Sequence, residues 1–260
     1  MGFIERLKNS WDIFKFSLGL IKKDKSLIAI PILMFVSVVA LIIIFILAFF
    51  AGSIKEPGAN AGIYFWGIVF LFFNYFITTF YASAQSWMVH EVVQGKNTTV
   101  ASGFKRAFRN FFDILAFVFV FIIIKILASG LKKRGMAGKI SAGFIETISG
   151  IVGKLVIPSM IITERHFGQA VMQLKDSYKA IPEIATFEIG IKPLISLTTI
   201  AGLFLAFIMF ISFGIFIGIV SFILWVIVIM LFSVYINTTY YTLVYLTLIE
   251  KKKIKGLKLS

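Results

Sequence analysis

The chain alternates between long apolar runs and short stretches that are polar and mostly basic. Apolar runs of about 18 or more residues are typical of membrane-spanning helices. Four such runs occur before residue 170, at Ser26–Gly52, at about Ile63–Met88, from Phe111 to just before Leu131, and at about Ser141–Thr163. We therefore predict four spans in this part of the chain.

A fifth apolar tract is much longer than the others. Pro193–Ile249 contains no charged residue. It is too long for one crossing of a ~30 Å hydrocarbon core, because a helix rises only ~1.5 Å per residue. We therefore predict a hairpin of two spans that turns within Ser212–Gly218, which gives six spans in total.

A half-polar segment precedes the first apolar run and recurs later in the chain. Gly2–Phe16 aligns without gaps with Gly103–Phe117, and six of the fifteen positions are identical. A fainter third copy matches LKNSW at Leu7–Trp11 with LKDSY at Leu174–Tyr178. The polar positions recur at the spacing of one helix face, and the other positions are mostly apolar. This pattern is typical of a helix that lies in the plane of the membrane interface.

Each copy precedes a pair of predicted spans. We therefore predict an all-α membrane bundle in which residues 1–260 form a single domain. Its three units, each an interfacial amphipathic helix and a transmembrane hairpin, cover about 1–95, 96–166 and 167–260. Amphipathic leaders are also common in multipass proteins without internal duplication, and this alternative remains open.

Composition supports a membrane protein and shows where its charge lies. Hydrophobic residues make up 59% of the 260 residues and charged residues 15%, against roughly 25% charged residues in soluble domains. Nineteen of the 26 Lys and Arg residues fall on one side of the predicted spans. This asymmetry predicts a protein of the cell membrane with both termini in the cytoplasm. The net charge of +14 therefore indicates contact with anionic lipid headgroups and not with nucleic acid.

The fourth predicted span is the most polar of the six. Lys154 lies near its middle, where a charge is costly and suggests a functional site. The polar groups that we expect near it are Glu146 on the same span and Asn74, Gln85 and Asn237 on spans two and six. These five residues form a candidate polar interior or pathway. The alternative is a lysine that extends to the interface or belongs to a buried structural pair.

A second candidate site lies at the cytoplasmic rim, where spans two, four and six end. It combines three glutamates with two cations of the amphipathic segments, namely Glu91, Glu164, Glu250, Arg109 and Lys175. His90 and His166 lie beside two of these glutamates, but neighbouring residues on a helix point about 100° apart. We predict helix caps and ion pairs there, and no metal or other cofactor. The chain has no cysteine, P-loop, nucleophile elbow or HExxH motif, so no catalytic residue is predicted.

Two short motifs link the chain to a known group of proteins. Val156–Ile181 follows the order apolar, Pro, apolar, Glu, Gly, Ala, basic, Ser, aromatic, and Ser10-Trp11 leads into Pro31 of the first span. In these motifs the chain resembles an uncharacterised prokaryotic multipass family, domain-of-unknown-function family 6159, over nearly its whole length. The resemblance implies six helices and no assigned activity. Mitochondrial carriers also have three units, but their repeated Pro-x-[Asp/Glu]-x-x-[Lys/Arg] signature is missing here.

Three classes of function remain open at this point. The first, which we predict, is a non-enzymatic structural, scaffold or accessory protein that contacts anionic headgroups and an unidentified protein partner. The second is a transporter or channel for a small solute or lipid that uses the polar groups of spans two, four and six. The third is a membrane enzyme. A continuous polar cavity that reaches Lys154 favours transport, whereas a close-packed interior favours a scaffold.

Overall fold

The computed structural model describes residues 3–53, 60–175, 186 and 192–257. The helices in this part of the chain are α1 Phe3–Lys23, α2 Ala29–Ser53, α3 Asn60–Val93, α4 Val100–Arg109, α5 Phe111–Lys132, α6 Gly135–Thr163, α7 Phe167–Lys175, α8 Lys192–Phe213 and α9 Ile215–Val244. A short 3-10 helix, Lys25–Ile28, leads into α2, and a π-helix, Tyr245–Ile249, extends α9. The described residues contain no strand, which confirms the predicted all-α class.

Among the described residues, five helical segments are long and apolar enough to cross a membrane. They are Lys25–Ala48, Phe65–Val93, Phe111–Lys132, Gly135–Thr163 and Ile215–Ile249. This finding supports an integral membrane protein. The fourth of these segments is the polar one that contains Lys154. It is 29 residues long, the same length as the second segment.

The long apolar tract near the C-terminus forms two helices that run antiparallel. Gly214 separates α8 from α9, and its φ of 93° lies in the left-handed region that glycine adopts without strain. The turn therefore falls within the predicted segment. Gly202 and Gly218 allow the two helices to approach closely, since Gly202 lies against the side chain of Trp225 and Gly218 lies against the backbone and Cβ of Phe210. Within α8, Ile200–Phe213 is the apolar stretch, and it is shorter than the five spanning segments. A sixth crossing therefore stays a prediction.

The three amphipathic segments differ from one another in the structure. The first forms the single helix α1. The second is interrupted at Asn110, which leaves the helical conformation with φ −103° and ψ 20° and ends α4, so the rest of that copy belongs to α5. Asn110 Nδ2 donates to the carbonyl oxygen of Arg106 at 3.0 Å, which satisfies one of the last carbonyls of α4. The third copy begins in α7, and from residue 176 it lies outside the described residues.

The buried residues are concentrated at one end of the bundle. Fully buried side chains there come from α1, α3, α5, α6 and α9, and include Ile13, Leu20, Met88, Ile114, Met160, Ile161, Tyr240 and Tyr245. We call this end, which also carries α4, α7 and the described end of the chain, the packed end. Large apolar side chains toward the opposite end are exposed, for example Leu47, Phe65, Leu127 and Phe216. Such a wide apolar surface is typical of helices that face lipid.

The helix α4 is held against α3 at the packed end by a close approach. A Cβ at Gly103 would lie 2.9 Å from the carbonyl oxygen of Ala84 and 3.0 Å from Met88 Cγ. Only glycine therefore permits this contact without a shift of one helix. The contact fixes the position from which Arg106 reaches the ends of α3 and α6.

Candidate functional site

A cavity of about 420 Å3 lies between α3, α5, α6 and α9. Its lining is largely apolar, and the polar groups along it are mostly hydroxyls of α3 and α9, such as those of Thr78, Thr79 and Thr238. Two of the residues predicted for a polar interior, Lys154 and Asn237, belong to this lining. We therefore treat the cavity as the candidate functional site.

Lys154 extends from α6 toward α9. Its Nζ donates to Tyr241 Oη at 3.2 Å and lies 4.6 Å from the centroid of the Tyr241 ring. An ammonium group over an aromatic face is attracted by the negative charge of the ring face. Tyr241 itself is buried, with 2% of its surface exposed. The lysine charge is thus held within the bundle, at the wall of the cavity.

Asn237 of α9 and Gln85 of α3 make different contacts, one within its own helix and one between the two helices. Asn237 Nδ2 donates to the carbonyl oxygen of Ser233, one turn earlier on α9, at 2.8 Å. Gln85 is fully buried, and its Nε2 donates across to the carbonyl oxygen of Tyr235 at 3.1 Å and to Thr239 Oγ1 at 3.2 Å. Gln85 is not among the described residues that line the cavity, and its role is to join α3 to α9.

The other two residues predicted for the interior lie elsewhere. Glu146 pairs with Lys132 of α5, with 2.7 Å between Oε1 and Nζ, toward the end of the bundle opposite the packed end. The carbonyl oxygen of Asn74 accepts a hydrogen bond from Thr78 Oγ1 at 2.9 Å, within α3. Neither residue is among the described residues that line the cavity. The structure therefore brings Lys154 together with Asn237, but places Glu146 in a separate ion pair.

Two glycines of α6 form one wall of the cavity. A Cβ at Gly150 would meet no atom within 4 Å, so this position borders open space. A Cβ at Gly153 would overlap the ring of Phe121, and this ring stacks on Phe117 with 4.4 Å between centroids. The small residue at position 153 thus lets the aromatic pair of α5 pack against α6.

The described lining of the cavity is positively charged. It contains two cationic residues, Lys125 and Lys154, and no aspartate or glutamate. Charges interact more strongly in a poorly hydrated interior than in water, because the effective dielectric constant is lower. An anionic group is therefore favoured in the cavity over a cationic one.

The rim glutamates contact the amphipathic helices or the turn that leads into one of them. Glu91 Oε2 accepts hydrogen bonds from Thr98 Oγ1 and Ser102 Oγ, both at 2.6 Å, at the start of α4. Glu164 pairs with Arg106 and lies 3.6 Å from Arg109 NH1, both in α4. The rim glutamates therefore attach the ends of α3 and α6 to the same short helix.

The third rim glutamate is attached to α7. Glu250 Oε1 accepts hydrogen bonds from Gln173 Nε2 at 3.0 Å and from Tyr245 Oη at 2.8 Å. Burial alone would raise the pKa of Glu250, but these two hydrogen bonds, with nearby Lys252 and Arg165, hold it below the ordinary value of 4.5. Of the two predicted cations, Arg109 is exposed, and the side chain of Lys175 lies outside the described part of the structure.

Arg106 is an important residue of the packed end that belongs to neither candidate site predicted from the sequence. Its Nε donates to the carbonyl oxygen of Ile161 at 2.7 Å, and NH2 donates to that of Ile162 at 3.4 Å. Its guanidinium carbon lies 4.2 Å from the centroid of the Trp87 ring. One side chain of α4 thus satisfies carbonyls of the last turn of α6 and covers an aromatic residue of α3. No spacing in the sequence distinguishes it from Arg109, which is exposed.

Two aspartates connect helices at the same end. Asp24 accepts hydrogen bonds from the backbone N–H groups of Ser26 and Thr98, at 2.9 and 3.0 Å, and so attaches the start of α2 to the turn before α4. Asp113 accepts the backbone N–H of Phe167 at 2.9 Å, and His166 Nδ1 lies 3.3 Å from its other oxygen. Asp113 therefore stabilises the first turn of α7. The described residues contain no group of three or more His, Cys, Asp or Glu that could hold a metal ion.

Comparisons with family models, with curated proteins and with solved structures find no match to this chain. The resemblance to domain-of-unknown-function family 6159 therefore stays a prediction.

Proposed function

We propose that the protein binds an anionic amphiphile, a lipid or small solute with an apolar body and a negatively charged end, in the cavity between α3, α5, α6 and α9. This places it in the transporter or channel class. The observation that carries the proposal is that the cavity reaches Lys154 from among hydroxyl-bearing side chains of α3 and α9. The lining is largely apolar and so differs from the continuous polar cavity expected of a transporter for polar solutes, and it favours a ligand with an apolar body.

The size and lining of the cavity support this class of ligand. Small-molecule sites have volumes of about 300–1,000 Å3 and are mainly apolar, with a few polar groups that orient the ligand. A volume of about 420 Å3 falls within this range. The apolar wall suits a hydrocarbon chain, while Lys125 and Lys154 suit a carboxylate or phosphate. Intramembrane lysines are costly, so their placement along one cavity favours a role in ligand binding.

The proposal includes the six-span, three-unit architecture in the cell membrane. It is supported by the order of the helices, because α1, α4 and α7 each precede a pair of long helices. It is also supported by the antiparallel contact of α8 with α9. The positive side of the protein, with both termini, faces the cytoplasm in this arrangement.

Blocking the cavity tests the proposed function. The full-length protein, purified in detergent, is titrated with a radiolabelled long-chain fatty acid and with the uncharged alcohol of the same chain length. We expect saturable binding, with the acid bound about tenfold more tightly than the alcohol, which corresponds to about 1.4 kcal/mol. Gly150→Leu should weaken acid binding at least about tenfold, because its side chain occupies the open space.

A matched variant on the same helix serves as the control. A Cβ at Gly143 also meets no atom within 4 Å, but this residue is not among the described residues that line the cavity. Gly143→Leu should therefore bind the acid like the unmodified protein. Lys125→Gln should reduce the preference for the acid without abolishing binding of the alcohol. Equal binding by the Gly150→Leu and Gly143→Leu variants would overturn the proposal.

A further inference from the structure

We propose that the packed end carries two sites for anionic phospholipid headgroups, one formed by Lys8 and Trp11 of α1 and the other by Arg109 of α4 and Phe112 of α5. Each site combines a cation with an aromatic side chain three residues later. The sites lie on the outer surface and are independent of the cavity. Their partner is an anionic lipid of the cytoplasmic leaflet.

Exposure in the structure supports the pairing. Trp11 is 38% exposed and Phe112 is 80% exposed, and both Lys8 and Arg109 are exposed as well. The gapless alignment of the first two copies places Lys8 opposite Arg109 and Trp11 opposite Phe112. Lys8 and Trp11 lie three residues apart on one face of α1. Arg109 ends α4 and Phe112 lies in the first turn of α5, on either side of the break at Asn110, so the second pair shares the sequence positions and the exposure of the first pair but not its helical arrangement.

Charge at the packed end is arranged so that cations face outward. Asp24, Glu91 and Asp113 there accept hydrogen bonds from protein groups, whereas Glu5 and Asp12 of α1 are half-buried acidic residues beside the first site. Exposed basic residues are numerous and include Lys8, Lys15, Lys22, Lys23, Lys96, Lys105, Lys251 and Lys253. Arg109 lies 3.6 Å from Glu164, but that carboxylate also pairs with Arg106. The outer surface of this end is therefore complementary to a negatively charged layer.

A lipid headgroup fits these observations better than a soluble acidic polymer does. Phe112 lies at the start of the membrane-spanning segment Phe111–Lys132, at the depth where a span enters the headgroup layer. Lys15 Nζ lies 5.4 Å from the centroid of the Trp11 ring, so a second cation adjoins the first site. Aromatic rings beside cations are typical of the membrane interface, where the ring inserts and the cation contacts phosphate.

Lipid retention by the full-length protein tests the proposal. The protein is reconstituted in nanodiscs of phosphatidylcholine mixed with phosphatidylglycerol, extracted in mild detergent, and examined by native mass spectrometry for bound lipid. We expect phosphatidylglycerol to be retained in preference. The double variant Lys8→Gln/Arg109→Gln should lower the ratio of phosphatidylglycerol to phosphatidylcholine by about fivefold for each cation. Trp11→Ala/Phe112→Ala should lower the retention of both lipids.

A variant with the same change in charge at the opposite end is the control. Lys133→Gln/Lys139→Gln removes two exposed cations, one at the end of α5 and one in the second turn of α6, and should leave the ratio unchanged. An equal fall in both double variants would overturn the proposal, since the effect would then come from net charge alone. Loss of polyglutamate binding in Lys8→Gln/Arg109→Gln with unchanged lipid retention would also overturn it and assign the surface to an acidic protein.

Discussion

Arg106→Ala is expected to separate α4 from the end of α6 and to destabilise the packed end strongly. The arginine donates to carbonyl oxygens of Ile161 and Ile162, pairs with Glu164 and covers Trp87, and its side chain is 8% exposed. Alanine leaves both carbonyl oxygens without these donors. Because other helices cover this region, water cannot readily replace the guanidinium.

The size of the effect follows from these contacts. A hydrogen bond that involves a charged group contributes about 1.5–3 kcal/mol, and a cation over an aromatic ring about 0.5–2 kcal/mol. Removing the arginine also removes its desolvation cost, and burial, followed by the nearby Arg109, does lower the pKa of Arg106. The net loss should therefore be about 3–5 kcal/mol, and it comes mainly from the two carbonyl hydrogen bonds and the ring contact, because Glu164 is 52% exposed and stays solvated without its partner. On the scale of soluble proteins of similar length this corresponds to a fall in Tm of roughly 6–20 °C.

Thermal unfolding of the purified full-length protein in one detergent measures this loss. Arg109→Ala is the matched control, because it removes the same charge from the same helix at a side chain that is 64% exposed, and it should cost less than about 1 kcal/mol. Arg106→Lys should behave almost like Arg106→Ala, since an ammonium group cannot donate to both carbonyls and pair with the carboxylate in the geometry of a guanidinium. Equal falls in Tm for Arg106→Ala and Arg109→Ala would refute this reasoning.

Two further predictions concern the helix contacts. Gly153→Ala should destabilise the protein by about 1–3 kcal/mol because the new methyl group overlaps the ring of Phe121, whereas Gly143→Ala should be neutral or stabilising by up to about 1 kcal/mol; equal Tm values for the two variants would contradict the packing. The carboxylate of Glu250 has a lowered pKa, so its stabilising contribution is present above pH 4.5 and is lost as the pH falls through the lower folded-state pKa. Glu250→Gln should therefore lower Tm near neutral pH by an amount that shrinks in acid, and a constant difference across this range would show that the hydrogen bond from Gln173 does not depend on the charge.

The positions of the helices could be predicted from the sequence because they depend on local chemistry. Runs of apolar residues without charge have to form helices in a membrane, where every backbone polar group needs an internal partner. Glycine marks the turn at Gly214 for the same local reason. The interruption at Asn110 was missed, since asparagine is a poor but tolerated residue within a helix, and only the contacts of α4 with α3 and α6 decide where that helix ends.

The site was less predictable because it depends on which helices become neighbours. An intramembrane lysine is unusual enough to be identified from the sequence, but its contact with Tyr241 joins residues 87 positions apart. Glu146 was an expected partner on the basis of its spacing on α6, yet Lys132 lies closer to it in the structure, across the turn between α5 and α6. Arg106 and Arg109 are both polar positions of the second amphipathic segment, three residues apart. Only the packing of α4 buries the first and exposes the second.

The packed end and the cavity depend on each other. Polar contacts hold the helices together at the packed end, and among them are Asp24 with Thr98, Glu91 with Ser102, and Arg106 with the end of α6. Near Lys154 the same helices are separated by the cavity, which is lined by hydroxyl groups and by two glycines. A change at the packed end should therefore alter the distance between α3 and α6 around the cavity, even though the residue changed does not line it. Arg106→Ala should accordingly weaken fatty acid binding in protein that is still folded, while Arg109→Ala should not, and this comparison links the stability of α4 to the proposed function.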